Sequence, residues 1–399
     1  MRESGRRIFL AGGGTGGHLY PGLAVAEAIL RRRPETAVAF SCTRGEMDSK
    51  ILRGRGLPVT PIDSRPFRPR SPWSWPRFVI SLVLAGNHAR RRFREFCPDA
   101  VLGLGGYGSY APVRVGRKYG AATAVLNPDI VPGRANRRLA RRADAVFCQF
   151  QPTVEAFGDA ARLTGCPVRA SVLGRDRAAA LAAFGLDADR RTLLVTGASS
   201  GARTVNRSLV ALLKDRGLPE GWQVLHLTGE RDHAEVAEAY RGIRVPSAVR
   251  AYEHDMGLAY AAADLAVARA GASTIAELLA VGLPAVFVPY PFHRDQHQML
   301  QARVVEAMGA AVVVEDRPGD PATRRDLSAA LEALMADDAR RRELAARARA
   351  AGRPEAADTV AGALLDLADG VADRRRAGLR AGRRTKARGL GPANSDPPP

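Results

Sequence analysis

A glycine-rich loop near the start of the chain ends in a histidine. The stretch FLAGGGTGGHLYPG has five glycines in six residues, 12–17, directly after an apolar run. Glycine lets backbone amides approach a ligand closely, and the amino terminus of a following helix favours an anion. Pro21 is predicted to lie in the first turn of that helix. The stretch therefore predicts a diphosphate cradle, with His18 at its exit able to donate to an anion or accept a proton.

Two later stretches supply further polar groups. TGASSGARTVN repeats the glycine turn and offers Ser199 to a second phosphate. The stretch ARAGASTIAELLAVGLPAVFVPYPFHRDQHQMLQAR places small residues before a helix, then Glu277, then a polar run around Asp295 and His297 that suits sugar hydroxyls. Glu277 can accept from two ribose hydroxyls. The spacing Thr274-x-x-Glu277 is also the capping-box pattern, so both interpretations stay open.

The class of ligand is narrowed by what the motifs lack. Gly12-x-Gly14-x-x-Gly17 matches a dinucleotide fingerprint, but no acidic residue closes the second strand at the expected point, and no Gly-Lys-Ser/Thr follows. The four cysteines form no C-x-x-C pair, which argues against a metal or disulfide framework. We expect no metal and no cofactor. An NAD-dependent oxidoreductase and a non-catalytic nucleotide-sugar binding protein remain alternatives.

The elements that must position these groups follow βαβ order. Short apolar runs alternate with helical patterns, and the order restarts at RTLLVTG. This pattern predicts an α/β fold with two doubly wound, Rossmann-like domains facing an interdomain cleft. We expect domains at 1–168 and 169–350, a helix at 351–369 that returns to the first domain, and a disordered basic tail at 370–399.

The net charge of +19 is carried almost entirely by arginine, because the chain has only four lysines. Residues 370–399 alone hold seven arginines and one lysine against two aspartates. A basic surface favours phosphate-rich ligands or an anionic membrane. Since arginine enrichment can reflect base composition, we expect no nucleic-acid partner. We see neither a signal peptide nor a run of about 20 apolar residues, so a cytoplasmic location is expected.

One stretch alternates arginines with large apolar side chains. RPFRPRSPWSWPRFVISLVLAGNHARRRFREF is predicted to rest on an anionic leaflet, with a loop and core helix as the alternative. Its apolar members are Phe67, Trp73, Trp75, Phe78, Ile80 and Leu84.

Taken together, GGGTGGHLYPGLAVAEAI, LGLGGYGSYAPV, TGASSGARTVN, YEHDMGLAYAAADLAVARAGASTIAELLAVGLPAVFVPYP and DQHQMLQA resemble the MurG family within glycosyltransferase family 28. The resemblance runs from about residue 8 to 350. It implies a GT-B fold and an inverting, metal-independent transfer of GlcNAc from UDP-GlcNAc to the C4 hydroxyl of the muramoyl unit of lipid I. It also implies a peripheral enzyme at the cytoplasmic face of the membrane.

The resemblance also implies roles for particular residues. The candidate catalytic residues are His18 and Asp129. The implied donor-binding residues are Thr15, Gly16, Gly17, Asn127, Arg169, Ser199, Met256, Ala272, Ser273, Thr274, Glu277, Gln298 and Gln301. Those implied to bind the acceptor diphosphate are Gly13, Gly14, Gly105, Gly106 and Tyr107.

Two departures from the family pattern bear on these roles. The chain reads Leu126-Asn127-Pro128-Asp129 where the family usually has His-Glu-Gln-Asn. The base is therefore open between His18, Asp129 and neither. A transferase with another lipid acceptor, such as diacylglycerol, stays as an alternative. The usual Gln-Gln-x-x-Asn reads His297-Gln298-x-x-Gln301, which alters the expected sugar contacts.

Overall fold

The computed structural model describes residues 5–13, 16–52, 55–62, 64, 75–197 and 201–388. Its strands form two parallel sheets, ordered β3-β2-β1-β4-β5-β6-β7 and β10-β9-β8-β11-β12-β13. The strands are β1 (Arg7–Ala11), β2 (Ala37–Thr43), β3 (Val59–Ile62), β4 (Ala100–Gly103), β5 (Ala122–Asn127), β6 (Ala145–Cys148), β7 (Ala161–Leu163), β8 (Arg191–Thr196), β9 (Trp222–Leu227), β10 (Ser247–Arg250), β11 (Leu265–Ala268), β12 (Ala285–Phe287) and β13 (Val312–Val313).

Helices cover both faces of each sheet, which is why the central strands are almost wholly apolar and buried. The helices are α1 (Gly16–Arg32), α2 (Glu46–Leu52), α3 (Trp75–Phe96), α4 (Tyr107–Lys118), α5 (Arg134–Ala140), α6 (Gln151–Phe157), α7 (Arg177–Phe184), α8 (Arg203–Asp215), α9 (His233–Tyr240), α10 (Met256–Ala262), α11 (Ala272–Val281), α12 (His297–Ala307), α13 (Ala322–Ala336), α14 (Asp338–Ala351) and α15 (Ala356–Arg388).

Each sheet changes its winding direction at one point. In the first sheet β1 lies between β2 and β4, and in the second β8 lies between β9 and β11. At such a point, the loops after the two neighbouring strands leave the sheet on opposite sides and open a crevice at the carboxyl ends of the strands. The two strands are β1 and β4 in the first sheet, and β8 and β11 in the second. Gly12 and Gly13 after β1, Gly197 after β8 and the start of α11 lie at these two points.

Helix α1 begins earlier than the sequence predicted. Pro21 was expected in its first turn, but the helix starts at Gly16 and contains Pro21. Proline has no amide hydrogen, so it cannot donate to the carbonyl four residues back, which is that of Gly17. That carbonyl instead accepts a hydrogen bond from the Ser273 hydroxyl of the second domain, at 3.3 Å.

The last helix packs on the first domain. Val360 and Leu364 are fully buried in the same apolar cluster as the inner face of α1. Arg33 contacts the Asp369 carboxylate at 2.9 Å. The helix then continues to Arg388, so the prediction of disorder from 370 was wrong for 370–388. This segment lacks proline, is rich in alanine and arginine, and is tied to the domain by a 2.7 Å ion pair between Arg375 and Asp99.

The chain passes between the two domains twice, after β7 and again between α14 and α15. The two crossings touch each other. Gly165 in the first crossing has φ of 82°, and a Cβ placed there would lie 2.9 Å from the Cβ of Arg353 in the second. Glycine is therefore favoured at this position both by its backbone conformation and by the lack of space.

Candidate active site

A cavity of about 430 Å³ lies between the carboxyl ends of the two sheets; we call it the interdomain cavity. The first domain contributes the start of α1 and the loop after β5. The second domain contributes residues around α10, α11 and the start of α12. The lining includes Gly16, Gly17, His18, Tyr20, Pro128, Asp129, Arg169, Tyr252, His254, Met256, Tyr260, Ala272, Ser273, Thr274, Glu277, His293 and His297.

Glu277 lies on the wall of this cavity and is not part of a capping box. The N-cap of α11 is Gly271 with no side-chain cap, and Thr274 is the third residue of the helix, so the capping-box interpretation was wrong. The Glu277 carboxylate instead accepts a 2.7 Å hydrogen bond from the Tyr260 hydroxyl. Burial raises the pKa of Glu277, while the Tyr260 hydrogen bond and the charge of Arg169 oppose that rise.

Arg169 provides positive charge in the same cavity. It is only 6% exposed, and among the described residues its Nε has no hydrogen-bond partner. Its guanidinium lies over the Tyr20 ring of the first domain, 4.4 Å from the centroid. A buried guanidinium with an unused N–H is suited to an anionic ligand oxygen. The first turn of α11, which also lines the cavity, adds the positive end of a helix dipole.

A second cavity, of about 530 Å³, lies within the first domain; we call it the amino-terminal cavity. Its lining includes Ser64, Phe78, Ser81, Leu82, Gly106, Tyr107, Tyr110, Asn127, Arg134, Asn136 and Arg138. His18, Pro128 and Asp129 line this cavity and the interdomain cavity as well. The two cavities therefore meet at both candidate bases.

The His18 ring is packed against the glycine pair that follows β4. A Cβ at Gly105 would lie 2.7 Å from the His18 Cδ2 atom, and one at Gly106 would lie 3.4 Å from its Cε1 atom. Both glycines have positive φ, at 98° and 70°. Burial lowers the pKa of His18, and the carboxylates of Asp129 and Asp48 oppose that effect. A neutral imidazole at this position can accept a proton near neutral pH.

Asn127 was expected among the donor-binding residues, but it lines only the amino-terminal cavity. Its Nδ2 donates to the backbone carbonyl of Asp129 at 2.7 Å, and its Oδ1 accepts from Asn136 Nδ2 at 3.0 Å. Because Asn127 is buried at the end of β5, these bonds fix the turn that carries Pro128 and Asp129. Asn127 thus positions a candidate base.

Some residues that the sequence predicted to bind the donor or the acceptor do not line the interdomain cavity. Gln298 accepts from the Tyr290 amide at 3.0 Å, and the fully buried Gln301 donates to the Ala270 carbonyl; neither lines the interdomain cavity. A Cβ on Gly13 would clash with the Asp48 carboxylate, so packing alone explains a glycine at this position. Gly14, Thr15, Ser199, Phe67 and Trp73 lie outside the described residues.

Several cavity residues were not predicted from the sequence. The Tyr20 and Tyr252 hydroxyls lie 3.1 Å apart and join the two domains. His293 Nδ1 lies 3.1 Å from His297 Nε2, and the rings are stacked. An isolated tyrosine or histidine in a loop carries no spacing signal. The sequence pointed to the segment of His293 only through the polar run around Asp295 and His297.

Two Rossmann-like domains whose sheets open onto a shared cleft give this chain the GT-B fold. Residues 8–148 match the glycosyltransferase family 28 N-terminal domain, and residues 192–360 match the glycosyltransferase family 28 C-terminal domain. The chain belongs to glycosyltransferase family 28.

Similar proteins agree with this assignment. The UDP-N-acetylglucosamine--N-acetylmuramyl-(pentapeptide) pyrophosphoryl-undecaprenol N-acetylglucosamine transferase of Nitratidesulfovibrio vulgaris is 39% identical over 91% of this chain and 98% of its own length. The enzyme of that name from Anaeromyxobacter sp. is 35% identical over 96% of this chain and 98% of its own. The crystal structure of Acinetobacter baumannii MurG superposes with a TM-score of 0.70 at 25% identity, covering 90% of this chain and 99% of that one.

Proposed function

We propose that this protein transfers N-acetylglucosamine from UDP-GlcNAc to the C4 hydroxyl of the muramoyl unit of lipid I, making lipid II for peptidoglycan. The names of its relatives support this reaction. The observation that carries the proposal is the wall shared by the two cavities. One cavity takes the donor and the other the acceptor, and the candidate bases His18 and Asp129 lie where the cavities meet.

The donor occupies the interdomain cavity. Glu277 accepts hydrogen bonds from the ribose hydroxyls, since its carboxylate lines the cavity and, within the described part of the chain, accepts a hydrogen bond only from Tyr260. Arg169 and the first turn of α11, with Ala272, Ser273 and Thr274, meet the charge of the diphosphate. Met256, at the start of α10, flanks the uracil. Gly16 and Gly17 approach the donor from the first domain.

The transfer is a single displacement with inversion. His18 takes the proton from the acceptor C4 hydroxyl as that oxygen forms a bond to the anomeric carbon of GlcNAc. The bond between that carbon and the β-phosphate oxygen breaks, and UDP leaves with the electron pair. Asp129 stabilises the imidazolium that forms on His18, because its negative charge acts on that ring. Asn127 holds the turn that carries Asp129.

The acceptor occupies the amino-terminal cavity, with Gly106 and Tyr107 near its diphosphate. Phe78, Ser81 and Leu82 of α3 line this cavity, while Val79, Ile80, Val83 and Leu84 on the same helix are 43–56% exposed. We infer that this exposed apolar face, followed by the arginines of α3, rests on the anionic cytoplasmic face of the membrane. Among the described residues, no helix has the length and apolar character needed to span a bilayer.

The domain limits belong to the same proposal. We place the acceptor and membrane-facing domain at 1–168 and the donor domain at 169–350. The helix from 351 onward completes the first domain, which accords with the burial of Val360 and Leu364 against α1. We expect no nucleic-acid partner, since the arginines near the cavities face sites for diphosphates.

The test is turnover of UDP-GlcNAc with a soluble lipid I analogue, together with a thermal-shift panel. We expect release of UDP and formation of the disaccharide product, and stabilisation by UDP but not by NAD. Stabilisation by NAD alone would favour the oxidoreductase. Binding of UDP-GlcNAc without turnover would favour a binding protein. Turnover with diacylglycerol but not with the lipid I analogue would favour the other lipid acceptor.

A further inference from the structure

Three side chains with metal-binding atoms meet where the loop after β12 runs into the first residue of α12. Ligand atoms of His293, Asp295 and His297 all lie within 4.8 Å of one another. We propose that this cluster binds one divalent transition-metal ion of the Zn²⁺ class. Its direct ligands are Nδ1 of His293 and Nε2 of His297, and Asp295 orients the second imidazole.

The separation of the two ring nitrogens suits a shared ion. They lie 3.1 Å apart. With a Zn–N bond of about 2.0–2.1 Å, an ion equidistant from both would see them at an angle of about 100°, between octahedral and tetrahedral values. The rings stack at 26° with centroids 4.3 Å apart. Binding therefore requires the His293 ring to rotate until its edge faces the ion. The His293 side chain is partly exposed, which permits this rotation.

Asp295 fixes the imidazole tautomer of His297 that can bind a metal through Nε2. Its Oδ1 accepts a 2.8 Å hydrogen bond from His297 Nδ1. The proton therefore resides on Nδ1, which leaves the Nε2 lone pair available to an ion. A carboxylate on the far nitrogen of a histidine is the usual outer partner of a metal-binding imidazole, where it fixes the tautomer and raises basicity.

The backbone of the loop holds the two imidazoles together. Gln296, between them, adopts a left-handed conformation with φ of 49°, which is uncommon for a residue other than glycine. Its Nε2 donates to the carbonyls of Pro291 and His293, both at 3.0 Å. These bonds close the loop onto the start of α12, so little ordering is required when an ion binds.

The site opens onto the interdomain cavity. Both histidines line it, and the charge of Asp129 across the cavity acts on His293. The remaining coordination positions are therefore available to water or to a ligand oxygen. This inference goes beyond the proposed transfer, which has no step at the ion. It also departs from the sequence-based expectation of no metal, which rested on cysteine spacing, on the lack of a suitable Asp-x-Asp motif and on the family resemblance.

The experiment titrates tag-free, full-length, nucleotide-free protein with ZnCl₂ by calorimetry and with CoCl₂ by visible absorption. We expect one ion per chain. His293→Gln and His297→Gln should each lower the affinity at least tenfold, and Asp295→Asn should lower it about tenfold. The matched control is His233→Gln, at a partly buried histidine that contacts Thr228 in the second domain, and it should bind as the wild type does.

Two results would overturn the site: binding that does not saturate near one ion per chain, or unchanged affinity in both histidine variants. In either case the stacked histidines would be a hydrogen-bonded pair and nothing more. Circular dichroism and UDP thermal shifts report whether each variant is folded. Because the ion is measured without nucleotide or acceptor, loss of this site and failure of the proposed transfer are separate outcomes.

Discussion

At the scale of single residues, Glu277 carries the donor assignment. Glu277→Ala and Tyr260→Phe both remove the hydrogen bond between these side chains, but only the first removes the carboxylate. We expect both variants to lose about 1–3 kcal/mol of unfolding free energy, because each leaves a buried polar group unpaired. Only Glu277→Ala should weaken UDP-GlcNAc binding tenfold or more, as measured by calorimetry. Equal affinity in the two variants would reduce Glu277 to a structural role.

The two candidate bases can be separated by pH. His18 acts in its neutral form, so the rate falls as the pH drops through the His18 pKa, which burial lowers from its usual value. The Asp129 carboxylate raises that pKa, so its removal lowers it further. In Asp129→Asn we therefore expect kcat to fall, the acidic limb of the kcat profile to move to lower pH, and UDP-GlcNAc affinity to change little.

If Asp129 were itself the base, Asp129→Asn would lose turnover at every pH and no shifted limb would remain. His18→Asn is the matching variant, and we expect it to lower kcat by about 10²–10⁴. An unchanged kcat in that variant would remove His18 from the reaction.

The site could be predicted from sequence only in part. Glycine loops, Glu277 and His18 stood out because their types and spacing suit nucleotides and phosphates. Gln298 and Gln301 did not reach the cavity, because their amides bond to the backbone at Tyr290 and Ala270. The contributions of Tyr252 and His293 depend on which loops the two sheets bring together, and no local pattern encodes that.

At the scale of elements, α3 links the acceptor cavity to the membrane. Ile80 and Val83 are each 56% exposed on the face next to that cavity. Ile80→Asp combined with Val83→Asp should lower binding to anionic vesicles at least tenfold, because burial of either side chain contributes about 1.5–3 kcal/mol. Met308→Asp, at a 50% exposed position in the second domain, is the control. Vesicle co-sedimentation measures the binding of the double variant and of the control. If both proteins lost vesicle binding equally, the apolar face of α3 would not be the membrane contact.

The strands were easier to predict than the helix ends. Apolar runs such as RIFLAG and RTLLVTG become buried strands because a parallel sheet is covered on both faces. The start of α1 was missed because Pro21 normally marks a first turn, whereas here the carbonyl it leaves unbonded has a partner in Ser273. The small residues Gly271 and Ala272 do open α11, and only the capping-box alternative at Thr274 was wrong, because Gly271 is the cap.

At the scale of the whole molecule, α15 is part of the first domain. Leu364→Ala should cost about 2–5 kcal/mol of unfolding free energy, because this side chain is fully buried against α1. A chain ending at Ala377 keeps Val371 and the Arg375–Asp99 ion pair, so its thermal midpoint should stay within about 2 °C of the full chain. Calorimetry of the Leu364→Ala variant and of the truncated chain tests both expectations. If the truncation destabilised the protein as much as Leu364→Ala does, residues 378–399 would also stabilise the fold.

The contact between Gly165 and Arg353 has a consequence for motion. Two segments that touch restrict the relative motion of two rigid bodies more than one flexible segment does, because displacement at the point of contact is limited. The domains are therefore expected to open and close as a hinge, with the largest displacement at the far rim of the cavity. A side chain at position 165 would wedge the axis apart. The cleft could then open, but the Tyr20–Tyr252 and Gly17–Ser273 contacts would no longer close together.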